Sequence, residues 1–210
     1  MRPESANVER SVCLVTALTV ADFIDPDLIV DAHSKTGAQL GVLTLAALLR
    51  RQRFTPTIVN LDDLFFHYVR RDTSRPSVRD ACVHAVEASG EGGEPPQGFF
   101  AFLVEHLRAL PLHRVGLSSI CSSYPLTLRL AAEIKRINPD ATVVLGGPQA
   151  SVVDVPTMRA FPCVDVIVRG EAEETFPALL QLLDRHDNAW QSMPGITFRG
   201  GDKVIRNPNA

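Results

Sequence analysis

The sequence predicts an α/β fold: a doubly wound parallel sheet of five strands in the order 2-1-3-4-5, followed by a C-terminal β-hairpin. Three observations predict it. Short β-branched runs recur along the chain, helix-period segments separate them, and only the last two runs are joined by a tight glycine turn. Strands separated by whole helices must pair in parallel through right-handed crossovers, which bury both faces of the sheet. Size agrees, because 210 residues, 45% hydrophobic and 21% charged, suffice for one domain with a full core over positions 1–210.

In chain order, Ser11–Ala17 is continuously apolar, as a buried strand is. Gly41–Arg51 is apolar nearly all round and predicts a largely buried helix. Thr57–Leu61 is the second strand, with Pro56 at its start, where a missing N–H is tolerated. Residues from about 62 to 98 read as an insertion; its Thr73–Pro96 core is rich in Ser, Arg, Pro, Glu and Gly, with a short helix at Arg79–Ala88. Phe99–Leu110 is a helix leading into the third strand, Arg114–Ile120. Leu126, Leu130, Ile134 and Ile137 form one apolar face of the next helix, which Ser122 or Ser123 can cap and Pro125 can start. Ala141–Leu145 and Val164–Val168 are strands four and five. A last helix follows over Glu174–Leu183, with Pro177 and acidic residues at its positive end. Ile196–Arg199 and Lys203–Ile205, around Gly200-Gly201-Asp202, form the hairpin.

Charge and cysteines narrow the function classes. A net charge of −3 offers no electrostatic reason to bind nucleic acid or an anionic membrane surface. No apolar run reaches the length of a membrane span, and the leader before Val12–Ala21 carries Glu4 and Glu9, unlike a secretory signal. Cys13, Cys82, Cys121 and Cys163 are too far apart for a zinc or iron–sulfur motif and read as buried, reduced thiols of a cytoplasmic protein.

In an open doubly wound sheet, ligands bind beyond the carboxyl ends of the strands, where the strand order reverses. Three loops there are distinctive. Ser118–Ser123 carries small hydroxyl side chains, Gly146-Gly147-Pro148 lets a bulky ligand approach the backbone, and Gly170–Glu174 puts carboxylates at a helix start. No phosphate-loop or dinucleotide glycine motif is present.

VVLGGP, DVIVRGEAEETFPALL and MPGITFRGGDKVIRNP together resemble the cobalamin-binding domain at the N-terminus of many radical S-adenosylmethionine (SAM) enzymes; LGVLTLAALLRRQRFTPTIVNL resembles its first helix and second strand. The resemblance implies a Rossmann-like (flavodoxin-like) sheet with cobalamin on its carboxyl edge and the nucleotide tail running between strands one and three. It implies cofactor contacts from Ser119, Ser122 and Ser123 near the tail and lower corrin face. Gly146, Gly147 and Pro148 would line the tail groove, and Gly170, Glu171 and Glu173 the rim. Gly37 and Leu40, after the first strand, join them. The implied function is to present cobalamin to a radical SAM catalytic domain, in cis or trans, most often for methyl transfer.

Two departures shape that expectation. The first loop reads Asp31-Ala32-His33-Ser34-Lys35-Thr36-Gly37, with its glycine one residue later than in carriers whose Asp-x-His-x-x-Gly binds cobalt. His33 is the candidate cobalt ligand, but the preferred reading is a loop histidine and no metal ligand; the lower face is then open, water-filled or blocked by an apolar side chain. The closely spaced cysteines of a radical SAM core are also absent. The expectation is therefore an N-terminal domain without catalytic residues, whose 4Fe-4S cluster and SAM belong to a catalytic domain outside this chain. The alternative is a stand-alone cobalamin carrier or sensor that regulates a partner; a receiver-like domain is disfavoured because strand three ends in Ser, Ser, Ile and Cys.

Overall fold

Every residue of Ser11–Val15 (β1) is buried, which explains its uninterrupted apolar sequence: helices cover both faces of the strand. The structure, a computed structural model, describes residues 10–19, 39–70 and 98–210. After β1 come α1 (Leu40–Arg51), β2 (Thr55–Val59), α2 (Leu61–Arg70) and α3 (Gly98–Arg108). Strand β3 (Arg114–Ser118) leads into α4 (Tyr124–Ile137), and β4 (Thr142–Gly146) into two short helices, α5 (Pro148–Val152) and α6 (Asp154–Ala160). Strand β5 (Val166–Val168), α7 (Thr175–Asp184), a 3-10 turn at Asn188–Ser192 and the hairpin β6 (Ile196–Gly200) and β7 (Lys203–Arg206) follow.

The sheet runs β2-β1-β3-β4-β5-β6-β7, so the expected 2-1-3-4-5 order holds and strand order reverses between β1 and β3. The first five strands are parallel, with Leu14 opposite Gly116 and Gly116 opposite Val144. The hairpin extends the same sheet antiparallel to β5, giving seven strands. Pro56 lies one residue inside β2, at the edge of the sheet, where its missing N–H breaks no ladder.

Two cores sandwich the sheet. Val12, Leu14, Val144, Val166 and Val168 pack against Val42, Ala46 and Leu49 of α1 and against Phe176, Leu179 and Leu180 of α7. Cys13, Val15, Val115, Leu117, Val143, Leu145 and Ile167 face the helices from α2 to α6, with Phe65, Phe100, Leu107, Leu130, Ile134 and Met158. Alternate strand residues thus serve alternate cores, as strand geometry requires.

Several expectations are corrected. Helix α1 buries only a stripe, Val42, Ala46 and Leu49; Leu40 and Leu43 are exposed, because no element packs on its outer side among the described residues. The second strand runs Thr55–Val59 rather than Thr57–Leu61, and Leu61 instead opens α2, whose Leu61, Phe65 and Phe66 enter the core. The crossover from β4 to β5 holds α5 and α6, which are too short to show a helical period in sequence. Cys13 is buried and Cys163 partly so, but Cys121 is exposed in the loop after β3. Ser123 is the N-cap of α4, yet neither its side chain nor that of Ser122 makes a hydrogen bond. His33, Gly37, Cys82 and the Arg79–Ala88 helix lie outside the described residues.

Candidate functional site

A cleft of about 480 Å³ opens at the carboxyl edge of the sheet, on the face covered by α1 and α7. Its floor is Leu14, Gly116, Val144 and Val168, from four successive strands. Gly41, Val42 and Leu45 of α1 form one side, and Phe176 of α7 the other. Gly146, Gly147, Pro148, Ser151 and the run Gly170–Glu173 form the mouth. The lining is largely apolar with a few polar groups, the usual chemistry of a pocket for an organic cofactor.

Glycine makes this shape possible. A Cβ on Gly116 would lie 3.0 Å from both Leu14 Cδ2 and Phe176 Cζ, so the bare backbone lets α7 settle over the middle of the sheet. Gly147 has φ +96° and ψ 174°, a region essentially reserved for glycine. A Cβ there would come within 2.5 Å of Ser119 O and 2.8 Å of Ser119 N. The turn after β4 is therefore pressed onto the loop after β3.

Two serines stitch three successive strand ends together. Ser119, fully buried, donates from Oγ to Gly146 O at 2.7 Å and accepts from Ala150 N at 3.1 Å. It thus caps an otherwise orphaned N–H at the start of α5 from a distant strand. Ser151 donates from Oγ to Gly147 O at 2.9 Å and accepts from Gly170 N at 3.1 Å. Gly170 itself has φ +72°.

Behind the rim lies a buried ionic cluster. Arg169, only 5% exposed, places Nε 3.6 Å from Asp154 Oδ2, which also accepts from Thr197 Oγ1 at 2.6 Å and Arg206 Nε at 2.7 Å. Burial pushes the Asp154 carboxyl up, but the hydrogen bonds from Thr197, Arg206 and the Val155 amide, with the charge of Arg206, carry it below its ordinary value. Burial, aided by Arg206, lowers Arg169.

Among the expected cofactor residues, Gly146, Gly147, Pro148, Gly170, Glu171 and Glu173 converge on this cleft. Ser119, Ser122 and Ser123 do not line it; Ser119 acts from behind, through the Gly146 turn. Leu40 stands exposed at the start of α1, beside the lining residue Gly41. Sequence reasoning missed Gly41, Val42, Leu45, Gly116, Ser151 and Phe176, and had Ser118 only as the first residue of the Ser118–Ser123 loop. Gly116, a glycine inside a strand, carried a signal of close approach; Ser151 carried none. No group of three or more His, Cys, Asp or Glu side chains among the described residues is arranged to hold a metal. No helix among them is long and apolar enough to cross a membrane.

Comparison with known proteins gives the family and the fold. The B12 binding domain family matches residues 27–180. The chain is 33% identical over 94 residues to an uncharacterized methyltransferase of Pyrococcus horikoshii, covering 45% of this chain and 20% of that protein. It is 33% identical over 93 residues to an anaerobic magnesium-protoporphyrin IX monomethyl ester cyclase of Synechocystis sp., covering 43% of this chain and 18% of that one. The fold is similar to that of the radical S-adenosylmethionine methyltransferase TsrM from Kitasatospora setae, solved with cobalamin and a 4Fe-4S cluster bound: TM-score 0.58 at 19% identity, over 96% of this chain and 29% of that one. The chain spans no more than 20% of the length of these curated relatives. Fold, switch-point cleft and a match over most of the sequence agree: the chain belongs to the B12 binding domain family.

Proposed function

We propose that this domain binds cobalamin in the cleft at the carboxyl edge of its sheet and presents it to a radical SAM catalytic domain, most often for methyl transfer. The observation that carries this reading is the glycine-floored, largely apolar cleft at the strand reversal of a B12-binding family member. A large amide-fringed ring with a heterocyclic tail needs such a site: apolar depth, bare backbone and few polar groups. The residues present fit such a group: Leu14, Val144, Val168 and Phe176 give apolar depth, while Gly41, Gly116 and Gly146 put no side chain into the cleft.

When bound, cobalamin supplies a cobalt centre able to carry a methyl group. The chain's own residues hold and shape. Gly146, Gly147 and Pro148 line the cleft beside its apolar floor, and Ser118 and Ser151 offer hydroxyls at its wall and mouth. Glu171 and Glu173 add acceptors at the rim that suit amide N–H groups. The methyl-transfer assignment draws on the methyltransferase relatives, whereas the cyclase relative is named for a different reaction. Substrate choice then belongs to the catalytic domain.

The experiment is a visible-spectrum titration of the 210-residue protein with hydroxocobalamin, followed by desalting. Colour retained at about one cofactor per chain is the expected result. A colourless protein after desalting, with intact circular dichroism, overturns the reading of the cleft.

A further inference from the structure

We propose that Arg169 is a positioning residue: it holds residues 207–208 against the back of the cleft rim, so that this segment becomes part of the frame that shapes the cofactor site. The inference rests on the cleft being the cofactor site.

The strand pattern brings the segment there. Since β6 runs antiparallel to β5 and β7 antiparallel to β6, the end of β7 returns to the carboxyl edge of the sheet. Beyond Arg206 the backbone stays zipped to that edge. Asn207 N donates to Ile196 O at 3.1 Å, and Gly195 N donates to Pro208 O at 2.7 Å. The Asn207 side-chain amide donates to Gln191 O at 2.9 Å and Met193 O at 2.7 Å. A Cβ on Gly195 would lie 3.1 Å from Ala210 Cβ and 3.5 Å from Thr175 Oγ1, so the segment reaches the first turn of α7.

Arg169 joins this segment to the rim. One terminal nitrogen, Nη2, donates to Ile196 O at 3.4 Å, to Pro208 O at 3.2 Å and to Asn207 O. The Arg169 amide donates to Gly195 O at 2.8 Å, and the next residue is Gly170, on the cleft mouth. The rim is thus suspended between Ser151 on one side and the Arg169 cradle on the other. A buried guanidinium is costly, and here Nε and Nη1 make no hydrogen bond, Nε having only the longer ion pair to Asp154. An apolar side chain would fill the volume without that cost; what the guanidinium adds is a donor nitrogen at the reach of Nη2, which makes the carbonyl cradle.

The test is a double-mutant cycle in the full chain with Arg169→Lys, Asn207→Ala and the pair. Lysine keeps the charge opposite Asp154 but ends one bond short of the Nη2 position that reaches the carbonyls, and Asn207→Ala frees the same segment from its other side. Two quantities are read: hydroxocobalamin affinity by visible titration, and hydrogen exchange at the Gly195 and Asn207 amides without cobalamin. Each single variant is expected to weaken hydroxocobalamin about tenfold and to speed exchange at both amides. The double variant is expected to bind no worse than the weaker single, because both changes break one frame. A general loss of stability would instead make the two effects multiply, which overturns the proposal. Wild-type affinity in Arg169→Lys also overturns it. If the wild type itself retains no hydroxocobalamin, the cofactor reading fails, while unchanged exchange in Arg169→Lys would by itself refute the cradle.

Discussion

Gly147 shows how much one residue decides. Its φ of +96° excludes L side chains on conformational grounds, and Ser119 excludes them sterically. Gly147→Ala is expected to cost about 2 kcal/mol in urea unfolding and to weaken cobalamin binding at least tenfold, with the far-ultraviolet spectrum unchanged. Gly170→Ala is the contrast: its φ is also positive, at +72°, but a Cβ meets nothing within 4 Å. That variant is expected to lose about 1 kcal/mol and to keep its affinity within a few-fold. Equal effects of the two substitutions would remove the special role of the Gly147 turn. The Gly-Gly-Pro run marks this turn in sequence, but its partner, the Ser119 backbone, is 27 or more residues away and no spacing rule names it.

Among the elements, α5 depends most on its neighbours. Five residues are too few for a helix to persist on its own in water. It starts with Pro148, whose absent N–H costs nothing there, and the N–H of its third residue, Ala150, is capped by Ser119 Oγ from the end of β3. Ser119→Ala removes that cap and leaves the Ala150 N–H and the Gly146 carbonyl without their partner. The expected cost is about 1–3 kcal/mol, with faster hydrogen exchange confined to the start of α5. Uniform loss of protection across the sheet would instead mean that Ser119 supports the core at large. The longer elements needed no such help to be legible. The Leu126–Ile137 period and the β-branched strands announce themselves, whereas α1 misled because its composition is apolar but its packing is one-sided.

Across the whole molecule, Asp154 ties the β4–β5 crossover to the hairpin. Its carboxylate faces Thr197 on β6, Arg206 on β7 and Arg169 at the end of β5. Because its folded pKa lies below the ordinary value of 3.8, its contribution is complete above that value and fades as the pH falls through the depressed one. At pH 7, Asp154→Asn is expected to cost about 3 kcal/mol, since it leaves Arg169 buried without a counter-charge. Urea unfolding repeated at pH 3 is expected to show a smaller gap between variant and wild type, because the unfolded wild type then binds a proton on Asp154 that folding must release. A gap that stays constant with pH would place the effect in packing rather than in charge.

Sequence alone determined the parallel α/β sheet and the family, because apolar period and the Gly-Gly-Pro and Gly-Glu runs are local properties of the chain. Their glycines and carboxylates could be read off as the mouth of a site for the same reason. Only the tertiary structure decided what lies beneath and behind that mouth. Gly116 became a floor through Phe176, Ser119 and Ser151 became stitches between strand ends, and Arg169 met carbonyls 27 to 39 residues away. These pairings join residues far apart in the chain. The folded backbone sets the distances between them, and those distances leave no period, spacing or composition to read.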